Sequence, residues 1–236
     1  GMDYAGVMAQ LKKLGTAQTA KTYGRHGGAK SFGVSFADIY KLQKQIKQDH
    51  ALAERLWDSG YTEAQVLGAL VADPSKVTAA LADKWIKTAG WYMVADYLAG
   101  LVAKSPVAQK KMLEWMKSPK EMYRAAGYHI LGVMMRDDAA LPVADCRRIL
   151  QTIEKEIHSS PNRARYAMNN ALIGIGSYRP ALTQEALAAA KRIGKVDVDH
   201  GDTSCKTPKA VETIQKVVAY ETRKKGKAKS AASGAR

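Results

Sequence analysis

The chain has 236 residues, of which 46% are hydrophobic, and 37 Lys and Arg against 22 Asp and Glu give it a net charge of +15. That length buries a sizeable core in one or two domains, and two cysteines, Cys146 and Cys205, are too few for a disulfide framework, so a reducing, cytoplasmic setting is expected. No apolar run reaches the roughly 18 residues of a membrane helix, the opening Gly1-Met2-Asp3 lacks the pattern of a signal peptide, with Gly1 before Met2 read as a tag remnant, and the excess of cations favours a polyanion, nucleic acid before an anionic membrane surface.

Apolar residues recur at helical spacing almost throughout, and no segment shows the period-2 pattern of a strand. Helices are predicted over 3–14 and 16–24. A glycine-rich basic loop follows, YGRHGGAKSFG at 23–33, in which Arg25 and Lys30 are candidate phosphate contacts. The next helix, 35–48, is capped by Ser35 and carries Phe36, Ile39, Tyr40, Leu42 and Ile46 near one face. Helices 50–58 and 62–72 are separated by Gly60, and Thr62-Glu63-Ala64-Gln65 reads as a capping box.

Helices 75–87 and 89–103 hold the aromatic stretch WIKTAGWYMVADYL at 85–98, with Lys87, Trp91, Tyr92 and Asp96. Two readings stand there. One is aromatic packing between helices. The other is an aromatic surface whose carboxylate faces a sugar or base and stabilises positive charge developing on a ribose. Helices 106–117 and 119–136 follow. Arg124, in an otherwise apolar run, is an exposed helix charge or a phosphate clamp.

Helix 143–157 carries Val143, Ile149, Leu150, Ile153 and Ile157 on one face. Helix 161–176 opens with Arg163 and Arg165, where the helix dipole disfavours cations. They are solvated arginines or contacts to an anionic partner, beside amides that also bind phosphate. Helix 182–193 ends at Gly194, and the last helix covers 208–222. Ser105-Pro106, Ser118-Pro119, Ser160-Pro161 and Thr207-Pro208 each place a capping hydroxyl before a proline at the first helical position.

Residues 222–236 contain six cations and no acid, which leaves +9 for the rest of the chain. This Lys-, Ala-, Ser- and Gly-rich tail is expected to be disordered. Residues 2–221 are expected to form a single domain. Helix pairs recur every ~35–45 residues, the period of a HEAT-type solenoid whose stacked antiparallel pairs present a concave face.

The stretch VDVDHGDTSCKTP at 196–208 is dense in ligand-type side chains. A calcium loop starting at Asp197 would need an acid where Pro208 stands. Zinc would need about four ligands, and only His200 and Cys205 are suitable. Neighbours in sequence are rarely a catalytic Cys–His pair. The stretch is read as an ordered connector, with Gly201 in a turn, Asp199 or Asp202 capping local N–H groups, Thr207 capping the last helix and Cys205 a small buried hydrophobe. The competing reading gives His200, Thr203, Ser204 and Lys206 to a ligand bound elsewhere.

Taken together, these stretches resemble the HEAT-like-repeat DNA alkylation repair proteins, the AlkD-like glycosylase family. The resemblance rests on the glycine-rich loop running into FGVSFADIYKL at 32–42, on Trp91, on Tyr123-Arg124-Ala125-Ala126 and on RARYAMNNALIGIG at 163–176, with VDHGDTSCKTPKAV at 198–211 similar to a block in one branch. It implies an all-α HEAT-like solenoid whose basic concave groove wraps duplex DNA, acting as a monomer with no membrane partner, no metal and no organic cofactor. It further implies excision of N3- and N7-alkylated purines, with aromatic residues and a carboxylate stabilising an oxocarbenium sugar and an arginine holding the backbone. Carried over, Trp91, Asp96 and Arg124 are the candidate catalytic residues. Arg25, Lys30, Lys87, Tyr92, Arg124, Arg163, Arg165, Asn170, His200 and Lys206 are the candidate DNA contacts. Two positions depart from the family pattern. The residue four after Trp91 is Ala95 rather than an aspartate, with Asp96 about 100° further round the helix, and Asn170 stands where a second aromatic is expected. Three functions therefore remain open: an alkylpurine glycosylase, a non-catalytic relative that binds damaged or branched DNA by shape, and a solenoid scaffold for an acidic protein partner.

Overall fold

The computed structural model describes residues 2–137 and 141–234. Among them are thirteen α-helices, three short 3-10 turns and no strand. In chain order the helices are α1 (Tyr4–Leu14), α2 (Ala17–Arg25), α3 (Phe36–Ile46), α4 (His50–Asp58), α5 (Thr62–Val71), α6 (Ala79–Thr88) and α7 (Tyr92–Ala103). They continue with α8 (Ala108–Met116), α9 (Glu121–Met134), α10 (Val143–Glu156), α11 (Asn162–Tyr178), α12 (Thr183–Ile193) and α13 (Ala210–Gly234). Each helix expected from the sequence is present, with ends shifted by a few residues except at the end of α13, which runs on to Gly234.

Several starts follow directly from side-chain capping. Asp3, Thr16, Ser35, Asp49 and Thr78 each accept a hydrogen bond from a backbone N–H in the first turn of the helix they precede. The serine–proline signals work differently from expectation. Pro161 of the Ser160-Pro161 signal itself occupies the N-cap of α11, at φ −60°, ψ 158°, as Pro142, which follows Leu141, does for α10, at φ −59°, ψ 147°. Their fixed φ suits the extended cap conformation as well as the first helical turn. The hydroxyls of Ser105 and Ser160 turn back and donate to carbonyls of the preceding helix, Val102 and Glu156.

The chain divides into two compact units, Gly1–Ile130 and Leu131–Arg236. The boundary falls inside α9, where no change in composition marks it. In the first unit α5 is the central helix and touches α1, α3, α4 and α7. Nine of its ten residues are buried, as suits a helix packed on every side. Gly68 lets α4 approach closely: a Cβ there would sit 2.9 Å from the Ala53 carbonyl oxygen. Trp57 and Trp85 stack in parallel 4.5 Å apart, and the Trp57 indole donates to Thr88 Oγ1 at 2.8 Å.

In the second unit α11 is central and contacts α10, α12 and α13. Cys146, Ile149, Met168, Leu172, Ile175 and Ile214 form its core. The buried Arg179 guanidinium donates to the carbonyls of Met135 and Asp137, at 3.0 Å each. It thereby satisfies carbonyls just past the end of α9, where the helix dipole favours a cation.

The tail departs from expectation. Residues 222–234 continue α13 as helix, and all of them are exposed. Their Lys, Arg and Ala content has high helix propensity, which composition-based disorder reasoning discounts. Residues 235 and 236 lie outside the described part.

Candidate nucleic-acid interface

In the first unit the glycine-rich loop is organised by a carboxylate that sequence reasoning took for a helix cap. Glu63 is 0% exposed. Its oxygens accept from the backbone N–H groups of Phe32, Gly33 and Val34, at 3.0, 2.7 and 2.8 Å, and from the Ser31 hydroxyl at 2.7 Å. Gly33 has φ +78°, which turns its N–H into this nest. The expected capping box is therefore absent: Tyr61 is the N-cap of α5 and makes no side-chain cap bond. Gln65, one polar residue further along, accepts from Gly90 N–H at 3.0 Å and donates to the Thr88 carbonyl at 2.9 Å. That contact holds 89 and 90 outside the helices, and α7 starts at Tyr92 and not at 89.

Trp91 is the N-cap residue of α7 and is 5% exposed. Its indole N–H donates to the His26 carbonyl at 2.5 Å. A Cβ added at Gly28 would lie 3.1 Å from the indole, and one at Gly27 3.2 Å. Both glycines are thus required by the loop's approach to the ring. The indole is thus enclosed between the loop and α7 in this structure.

Rings continue outward from Trp91. Tyr23 lies 5.2 Å from it and 5.8 Å from Phe36, Phe36 stacks 5.9 Å from Tyr97, and Tyr97 lies 6.4 Å from the exposed Tyr40. The Tyr40 and Tyr97 hydroxyls are 2.5 Å apart. Burial, then this hydrogen bond, then the neighbouring charges of Tyr40, Asp96 and Tyr23 push the Tyr97 phenol well above the ordinary tyrosine range. Tyr92 is half-buried, edge-on to Trp91 at 5.5 Å. Ala95 is buried, 3% exposed, on the core face of α7, whereas Asp96 is half-buried.

The candidate cations of this unit are dispersed in their roles. Lys30 donates to the Ser59 carbonyl at 2.9 Å and lies 4.7 Å over the Tyr61 ring. Arg25 and Lys87 are exposed in the last turns of α2 and α6. Arg124 is half-buried, and its Nε donates to the Ser118 carbonyl at 2.9 Å, closing the end of α8.

In the second unit the structure gathers Arg163, Arg165 and His200 around the connector 194–209. The Arg163 guanidinium lies 4.8 Å over the Tyr166 ring, and His200 meets that ring edge-on at 5.4 Å. Arg165 donates to the Asp197 and Ser160 carbonyls at 2.6 and 3.1 Å. Asn162 makes a two-way bond with the Asp199 backbone, at 2.7 and 2.8 Å, and Asn169 donates to the Pro208 carbonyl at 2.9 Å. Asn170 is half-buried on the same helix, and Lys206 is exposed.

Residues 194–209 form an ordered connector without regular secondary structure. Gly201 turns at φ +64°, and the Asp199 carboxylate accepts from its N–H at 2.8 Å. Two details differ from expectation. Cys205 is exposed, not buried. The Thr207 hydroxyl lies 2.8 Å from His200 Nε2, and α13 begins three residues later at Ala210. Among the described residues no group of three or more His, Cys, Asp or Glu is placed to hold a metal ion, and no helix is long and apolar enough to cross a membrane.

This helical architecture, with its glycine-rich loop, tryptophan-capped α7 and arginine-opened α11, coincides with a known class. The sequence pattern of the DNA alkylation repair enzyme family matches residues 7–214. The chain belongs to that family. It is 31% identical over 214 residues to the Listeria innocua protein Lin0241 and 30% identical to Lmo0209 of Listeria monocytogenes, each match covering 88% of this chain and 93% of the relative. A solved structure superposes with a TM-score of 0.83 at 30% identity, over 93% of this chain and 95% of the other. That protein is described as one of a new family related to the HEAT-like repeat DNA glycosylases, with affinity for branched DNA structures. The all-α HEAT-like fold expected from helix spacing is thus the fold of the chain.

Proposed function

We propose that this protein binds DNA, duplex and branched, by charge and shape, without excising bases. The observation that carries the second half is Ala95. It stands where the family resemblance puts a catalytic carboxylate, it is only 3% exposed, and the indole beside it is closed over by Gly27 and Gly28. A developing oxocarbenium ion would find neither a carboxylate at that position nor an open aromatic face. DNA binding is supported by the net charge of +15, by family membership and by the described affinity of the structural neighbour for branched DNA.

The reading is tested by measuring affinity for a blunt duplex and a four-way junction across a salt series. Phosphate contacts release counterions, so log affinity should fall linearly with log salt. Negligible binding of both DNAs at ~50 mM salt, where such contacts are strong, would leave the scaffold reading in its place.

A further inference from the structure

The connector closes one side of a cleft of about 800 Å³ in the second unit. The last turn of α12 and the first turn of α13 supply its other walls. Val196, Val198 and Val211 give the lining an apolar part. Lys191, Lys195, Lys206 and Lys209 also line it, and all four are exposed. Asp197 and Glu212 are the acids of the lining, and Asp197 lies 3.5 Å from Lys195, so cations are in excess.

The cleft is held open by construction. Its connector has no regular secondary structure, yet Arg165, Asn162 and Asn169 of α11 fix its backbone at Asp197, Asp199 and Pro208. A ligand therefore meets a preformed shape and does not have to order a loop, which is the main cost such a site would otherwise carry. The volume falls in the range of small-ligand sites. An apolar lining with ammonium groups around it matches a flat base with phosphates on either side. Bases in a duplex are stacked and paired, so only an unpaired nucleotide can present that combination.

We infer that this cleft binds an unpaired nucleotide of a DNA strand together with its flanking phosphates. This rests on the DNA-binding reading above and adds the site at which a branch or flap is distinguished from plain duplex.

Cys205 lines the same cleft and is exposed, while the other cysteine, Cys146, is fully buried with its thiol pushed up by that burial. Alkylation by a maleimide therefore reports on the cleft alone. Binding of the full chain to a blunt duplex and to the same duplex with a single-stranded flap is followed by fluorescence anisotropy. The Cys205 alkylation rate is then measured at saturation with each. The flap is expected to slow alkylation several-fold and the blunt duplex to leave it unchanged. A saturating flap that leaves the rate unchanged overturns the inference, as does a blunt duplex that slows it equally. Equal protection by a free deoxynucleoside monophosphate at the same concentration also overturns it, by putting a small molecule in the cleft. If neither DNA binds by anisotropy, the DNA reading itself fails, and that is seen without any alkylation data.

The double variant Lys191→Gln/Lys209→Gln changes only exposed side chains, and an unchanged melting temperature verifies its fold. It is expected to lose the preference for the flap while keeping duplex affinity. A retained preference, or an equal loss for both DNAs, contradicts the assignment.

Discussion

The Trp91 indole N–H donates to the His26 carbonyl at 2.5 Å beneath Gly27 and Gly28, so the tryptophan locks the glycine-rich loop instead of facing a ligand. Trp91→Phe removes the donor and leaves a partly buried carbonyl without it. A loss of about 1–3 kcal/mol is expected from the unsatisfied group, read from chemical denaturation. Unchanged stability combined with lost DNA binding would return the indole to a functional role.

Glu63 is the counterpart on the other side of that loop. Glu63→Gln keeps the shape but turns an amide NH₂ toward backbone N–H donors. The expected cost is roughly 2–4 kcal/mol, since hydrogen bonds to a charged group are the strong ones. Amide exchange at Phe32, Gly33 and Val34 should rise in the same variant. A stable variant with unaltered exchange would contradict the nest.

Arg165 spans the Ser160 and Asp197 carbonyls with one guanidinium fork. Arg165→Lys keeps the charge and loses the fork. Faster amide exchange across 197–200 and a loss of about 1 kcal/mol are expected. If DNA affinity falls while exchange is unaffected, Arg165 is a phosphate contact and not a brace.

Arg192 donates to both carboxylate oxygens of Glu154, at 2.7 and 2.8 Å, joining α12 to α10. This hydrogen bonding holds the Glu154 carboxyl below the usual glutamate range. Its folded pKa is depressed, so the stabilisation is present above the unfolded value of 4.5 and is lost as pH falls through the folded one. The pair is largely solvated, and a contribution below about 1 kcal/mol is expected. The stability difference between wild type and Glu154→Gln should be visible at neutral pH and vanish in strong acid. A difference that persists there would assign it to something other than the charge.

Much of the fold was readable in the chain. Capping residues such as Thr16, Ser35 and Asp49 and the 3.6-residue spacing of Ile39 and Leu42 announce helices through local physics alone. The second-unit cluster was half readable: Arg163 and Arg165 stand out at a helix start, but their partners, the Tyr166 ring and the Asp197 carbonyl, require the fold. Glu63 and Gln65 were misassigned because a capping box and a buried bracket use the same residues. The one available signal is that both sit in a helix otherwise apolar on every side, where a buried carboxylate must find donors elsewhere. Cys205 was misplaced because a short polar loop carries no periodicity from which burial can be read.

The central claim, binding without excision, is tested most directly on one DNA. A duplex containing N7-methylguanine is incubated with the protein under conditions where anisotropy shows it fully bound, and free base is quantified over time. Salt-sensitive binding is expected, with base release at the spontaneous rate, the same for wild type and Asp96→Asn. Release above the spontaneous rate that Asp96→Asn abolishes would contradict it, and would identify Asp96 as the carboxylate that replaces the one missing at Ala95.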